Sequence, residues 1–157
     1  MSHTVKIGVT LTKEHFPSAI KAAEELGLVL RRDEQGKPMK TMRGWQGRRV
    51  PCALAFGVPE QERKQRQHDY EIGLVAEDDT TYRWALESYN LYDPDMTARI
   101  GSRGEKLNPL TSFHHTCNVM TASGHELTET EVLASGETVY TFEEEEGHRA
   151  FAAVSAF

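Results

Sequence analysis

Apolar and polar residues alternate over residues 4–11: Val5, Ile7, Val9 and Leu11 fall in one phase, Thr4, Lys6, Gly8 and Thr10 in the other. A period of two is that of a strand burying one face. It returns in Tyr70, Ile72, Leu74 and Ala76 and in Tyr82, Trp84 and Leu86. The acidic Glu77-Asp78-Asp79-Thr80 turn between these two runs makes them a predicted hairpin. Residues 126–133 and 137–143 predict a second hairpin about Ala134-Ser135-Gly136. Val50, Cys52, Leu54 and Phe56 also share a phase, but Pro51 lies among them and has no N–H for a ladder, so an edge or bulged strand is expected. Residues 28–32 are expected to return as a short strand before the polar turn at 33–38.

Only two stretches repeat at helical spacing. Phe16, Ile20, Ala23 and Leu26 form one stripe, with Pro17 in the permissive first turn and Gly27 supplying the left-handed stop. Leu110, Phe113, Cys117 and Met120 form the other, opened by Asn108-Pro109, a capping residue followed by the residue best suited to the first helical position, and ended by Gly124. The fold class that follows is α+β: a mainly antiparallel sheet of five to seven strands, two helices packed on one face, and the opposite face partly exposed. Residues 1–146 are expected to form a single domain. Within it, residues 57–68 read as an exposed, polar excursion and residues 87–107 as a long irregular connection marked by Asp93-Pro94-Asp95, Gly101 and Gly104. Residues 147–157 read as an apolar tail that docks on the body or meets another subunit.

A chain of 157 residues can bury a core without metals or disulfides. No apolar run approaches the ~20 residues of a membrane span, and the first residues lack a signal peptide's hydrophobic segment. A cytoplasmic protein with no membrane partner is therefore expected. Cys52 and Cys117 both sit on apolar phases, as small hydrophobes rather than a disulfide pair.

Charge is distributed unevenly. Residues 31–66 hold ten Lys/Arg against four Asp/Glu, a net of +6, so the rest of a chain whose total is −6 carries −12. The centre of this cationic third is Arg43-Gly44-Trp45-Gln46-Gly47-Arg48-Arg49. Arginines offer planar forks to phosphate or carboxylate, glycines let a backbone approach, and an aromatic face accepts a base. The candidate ligand-binding residues are accordingly Lys40, Arg43, Gly44, Trp45, Gly47, Arg48 and Arg49. A solvated charged loop, with glycines making turns and Trp45 packed on the sheet edge, accounts for the same residues. An acidic chain suits a bounded ligand or an acidic protein surface better than long duplex DNA.

His114, His115, Cys117 and His125 cluster in sequence, yet a zinc site needs three or four convergent ligands and Cys117 falls on the core stripe, so no metal is assigned. His68 and His148 have no partners that the sequence identifies. The carboxylate groups Glu77-Asp78-Asp79 and 143–146 read as solvated. No nucleophile elbow, phosphate loop or His-Glu-x-x-His segment occurs, so no catalytic residue and no cofactor is assigned.

Several short motifs occur together: the opening Met1-Ser2-His3, the strand and helix ending at Leu26-Gly27, Arg43-Gly44-Trp45-Gln46-Gly47, Asp69-Tyr70-Glu71-Ile72-Gly73, and the closing helix with its hairpin. In this combination the chain resembles the plastid hypothetical reading frame thirty-five family, a domain of unknown function also found in bacteria and phages. Residues 57–68 and the extension beyond Glu146 depart from that pattern. The resemblance implies a compact α+β domain and work beside other proteins such as an ATPase; it brings no catalytic residues.

Two functions are therefore weighed, with an enzyme as a third. One is a non-enzymatic protein that holds an anionic partner, a nucleotide-like or nucleic-acid ligand or an acidic protein face, through the cationic loop. The other is an assembly protein that forms a homo-oligomer or hetero-complex through its tail and the sheet edge near Pro51. In the first reading, charge reversal at Arg48 and Arg49 removes binding and leaves folding unchanged.

Overall fold

The structure, a computed structural model, describes residues 4–64, 70–136, 138–144 and 149–154, with the side chains of all of these except 4–9, 45 and 149–154. It is α+β, and its strand ladders are all antiparallel. Five strands make the main sheet in the order β1-β7-β6-β5-β2: β1 Thr4–Leu11, β2 Val29–Leu30, β5 Leu54–Gly57, β6 Ile72–Ala76 and β7 Tyr82–Glu87. The predicted hairpin is β6–β7, in register from Gly73↔Ala85 to Ala76↔Tyr82.

One face of this sheet carries the large side chains the alternation picked out. Phe56, Ile72, Leu74, Trp84 and Leu86 are fully buried there against helix α1 (Phe16–Glu25), through Ala19 and Ala23, and against helix α2 (Pro94–Ile100), through Met96 and Ile100. The other phase holds Ala55, Gly73, Val75 and Ala85. It is covered by a two-stranded hairpin of β3 (Thr41–Arg43) and β4 (Arg49–Pro51), which inserts Met42 and Val50 against Ala55. A Cβ on Gly73 would overlap the Leu54 carbonyl of the neighbouring strand and come within 3.2 Å of Met42 Sδ, so glycine at this position admits both β5 and the hairpin. The face expected to be partly exposed is in this region a second, smaller core.

Helix α3 (Leu107–Ala122) packs on α1 through one side and meets a separate three-stranded sheet, β10-β9-β8, through another. Strands β8 (His125–Val132) and β9 (Thr138–Glu144) are the second predicted hairpin. The expected apolar tail is in part a strand: β10 (Arg149–Val154) pairs with β9 from Arg149↔Glu143 to Val154↔Thr138. Residues 145–148 and 155–157, with His148, lie outside the described residues, as do residues 65–69 with His68 and the opening Met1-Ser2-His3.

Other expectations shift for local reasons. The continuous strand expected through Val50–Phe56 breaks at Cys52–Ala53, because Pro51 ends β4 and the chain then crosses to the main sheet as β5. Residues 60–62 and Lys64 are exposed, and the stretch 57–64 is anchored to the body at several points. Val58 is buried, the Arg63 side chain is 4% exposed and pairs with Asp93 at 2.8 Å, and the Lys64 N–H donates to Asp95 at 2.9 Å. The connection at 87–107 contains α2, for Asp93 caps it by accepting the Asp95 N–H at 3.0 Å and Pro94 takes the first helical position. At Asn108-Pro109 the same dipeptide grammar misleads. Helix α3 starts two residues earlier than that dipeptide predicts, at Leu107 with Lys106 as its N-cap, and Pro109 is tolerated because first-turn N–H groups have no intrahelical acceptor. Among the described residues, no helix is long and apolar enough to cross a membrane, and both cysteines are free.

Candidate functional site

The β3–β4 hairpin gathers most of the candidate residues. Register places Arg43 directly opposite Arg49, with Gly44 to Arg48 as the connecting loop, closed by the Gly44 N–H donating to the Arg48 carbonyl at 2.8 Å. Within that loop Gln46 has φ +52° and Gly47 φ +76°, so the left-handed turn needs glycine at 47 and strains Gln46. Gly44 serves a different purpose. A Cβ there would overlap Oε1 of Glu87, so its missing side chain admits a carboxylate of the protein's own sheet, where the sequence suggested room for a ligand.

Two arginines on facing strand positions repel each other. Here a buried carboxylate offsets that repulsion. Glu71, 2% exposed, accepts the Arg43 backbone N–H at 2.8 Å through Oε1, which also lies 3.3 Å from Arg43 Nε, while its own N–H donates to the Arg43 carbonyl at 3.0 Å. Its Oε2 lies 3.1 Å from Nε of Arg31, a half-exposed side chain next to β2. Nearby, Nη1 of Arg48 is 3.6 Å from Oε1 of Glu87, a residue with no exposure whose carboxylate accepts no hydrogen bond from the described residues. A buried charge requires a counterion, so Arg48 is committed to the fold as well as to the surface.

The sequence-derived set therefore divides. Arg43, Gly44, Gly47, Arg48 and Arg49 come together, along with the backbone of Trp45. Lys40 does not join them; it lies at the other end of the hairpin, where its carbonyl accepts the Cys52 N–H, and lines a separate cavity of about 400 Å³ with Phe16, Pro51, Cys52 and Tyr82. Beside it, burial and then the charge of Glu71 push the Cys52 thiol up to about 12, against the pull of Lys40, so this thiol stays protonated. Arg49 is exposed, with no carboxylate in ion-pair reach among the described residues. Arg31, Glu71 and Glu87 were missed as members of the site. Their signal is the strand phase they occupy: Glu71 and Glu87 share the phase of Gly73 and Ala85, and a carboxylate among such small residues marks a covered face.

The histidines disperse. His114 pairs with Glu25 across α3 and α1, and His115 stacks on His15 with ring centroids 3.9 Å apart. Burial, then the neighbouring His115, lowers the His15 pKa from its ordinary value, and the ring accepts the Thr12 N–H at Nδ1. His125 on β8 lines a cleft of about 310 Å³ with Glu126, Glu143 and Glu144, its Nε2 3.0 Å from Oε1 of Glu144. That cleft joins a histidine to carboxylates, but Nδ1 of His125 meets no hydrogen-bond partner that would orient the ring as a base. Among the described residues, no group of three His, Cys, Asp or Glu side chains could hold a metal ion.

The largest of these cavities, about 550 Å³, lies elsewhere, between the first turns of α3 and the β8–β9 sheet. Leu110 and Phe113, from the stripe expected in the core, are only half-buried because they face it, and the Phe113 and Tyr140 rings meet at 4.7 Å. No protein-family model, curated protein or solved structure matches the chain, so its function is read from this geometry.

Proposed function

We propose that the protein is a binding protein whose β3–β4 hairpin face holds an acidic face of a partner protein. Arg49 supplies the uncompensated charge, and the exposed parts of Arg31 and Arg48 supply further donors. The observation behind this reading is that the buried Glu71 carboxylate lies in ion-pair reach of two arginines, 3.1 Å from Arg31 Nε and 3.3 Å from Arg43 Nε. A guanidinium tethered along one edge has less rotamer freedom left to lose when its other edge meets a carboxylate. Four guanidiniums against Glu71 and Glu87 leave a local excess of +2 in a chain of net −6, enough to steer an acidic surface but a weak match for a polynucleotide. None of the three cavities described above is lined by Arg43, Arg48 or Arg49, and an open surface suits a broad protein face better than an enclosed nucleotide.

Titration with poly-L-glutamate at low ionic strength tests this. Wild type should bind, Arg49→Glu should bind several-fold more weakly with an unchanged circular dichroism spectrum, and added salt should shrink the difference. Equal binding by the two proteins, or tighter binding of ATP than of poly-L-glutamate, would remove the reading.

One observation favours assembly instead. Strand β8 ends the three-stranded sheet, its outer edge has no partner strand among the described residues, and Val132 at its end is 70% exposed. Sizing of wild type against Val132→Lys separates the readings, since only assembly through this edge expects dissociation. Truncation at Glu146 does not, because it deletes β10.

A further inference from the structure

The cavity between α3 and the β8–β9 sheet has the form of a small-molecule site. Its walls are Leu26, Pro109, Leu110, Phe113 and Tyr140, and its volume of about 550 Å³ falls within the range that such ligands occupy. The rim carries two charges of opposite sign, Glu105 and Lys106; backbone N–H groups hold Glu105, and the charge of Lys106 adds only the smallest share of the pull on it. Glu105 turns back on its own loop, where its carboxylate accepts the Arg103 N–H at 2.8 Å, and this and neighbouring backbone N–H groups hold it below the usual carboxylate range. Lys106 is exposed, and no carboxylate comes within 4.0 Å of it among the described residues. It is also the N-cap residue of the sixteen-residue helix α3, whose dipole adds to its positive potential.

An apolar chamber with one spare cation at its rim complements one kind of molecule. We propose that this cavity binds an amphipathic monoanion, its apolar body against Leu110, Phe113 and Tyr140 and its anionic head on the Lys106 ammonium. The site lies beyond the helices from the β3–β4 hairpin, on the far side of the main sheet, and is independent of the hairpin's partner.

Decanoate and decanol are suitable probes, matched in body and different in head. Calorimetry on the full chain should show saturable binding of one decanoate, with decanol weaker. Amide shifts should concentrate at Leu26, Lys106 to Phe113, Thr130 and Tyr140. Lys106→Met should weaken decanoate about fivefold, the scale of a half-solvated ion pair, and leave decanol unchanged. Leu110→Trp fills the cavity and should abolish both. Thr130→Trp, at an exposed strand position, blocks it from the other wall without touching the core, and serves if the first variant fails to fold. Arg49→Glu should change nothing. Equal affinity for decanoate and decanol, or an unaltered decanoate affinity in Lys106→Met, would overturn the assigned head group. No binding, shifts elsewhere, or full affinity in Thr130→Trp would overturn the site.

Discussion

The hairpin face and the α3 cavity treat charge in opposite ways. On the hairpin face four arginines crowd together, yet Arg31, Arg43 and Arg48 each meet a buried carboxylate of the protein itself, and Arg49 meets none among the described residues. Around the cavity there are few charges, and one of them, Lys106, has no carboxylate within 4.0 Å among the described residues. The number of cations in a segment therefore says little about how many are available to a partner. A charge over a buried carboxylate first serves the fold, because removing it would leave that carboxylate buried without a counterion. The same accounting applies to Arg63 and Asp93. Burial raises the Asp93 carboxyl in spite of an arginine 2.8 Å away, so this pair fixes the position of residues 57–64 more than it stabilises them.

The largest expected effect would break the contrast at its charged end. Arg48→Glu sets a second negative charge beside Glu87 and should lower unfolding stability by about 3 kcal/mol, the low end of the range for stranding a buried charge because Arg48 is itself half-exposed. Urea denaturation reads this. A stability within error of wild type would mean that Glu87 does not depend on its ion pair, and Arg48 would then count as free charge. The consequence for function is direct: charge reversal at Arg48 cannot test binding cleanly, and Arg49→Glu can.

Next in size is Gly44→Ala. Its methyl group would overlap the Glu87 carboxylate, so the loop or the carboxylate must move, at a cost of about 1–3 kcal/mol in the same denaturation experiment. Glycine required only for turn flexibility would give a smaller loss, since the φ of Gly44 is not in the left-handed region.

A third, smaller effect concerns the helix layer between the two regions. His15 has a lowered pKa in the folded protein, so below its ordinary value of 6.5 the unfolded chain binds the proton more readily, and stability falls as pH falls. His15→Gln should flatten that part of the stability curve, and His115→Gln should flatten it less, because burial outweighs the neighbouring ring. A steeper loss in His15→Gln would reverse the assignment. The smallest effect expected is on stability in Lys106→Met, which should match wild type in urea while changing decanoate affinity; a marked loss would show that Lys106 is engaged by the fold.

Much of the fold was legible from periodicity. The β6–β7 and β8–β9 hairpins, β1 and α1 follow from alternation or a helical stripe, because a side chain's direction is set by local backbone geometry whatever it packs against. Caps were less reliable. Asp93-Pro94 opens a helix and Asn108-Pro109 lies one residue inside one, and the difference is Leu107, which is fully buried and draws the helix start back to itself. The candidate site was legible as a place, the hairpin about Arg43 and Arg49, but not as a state of charge.

The amino-acid order alone determined which residues face together along each strand and helix, since that depends on neighbours within a few positions. Which carboxylate meets which arginine was decided only when β6 and β7 brought Glu71 and Glu87 beneath a hairpin more than twenty residues away in sequence. Coulomb energy depends on distance and solvent exposure in space, and neither is a function of position along the chain.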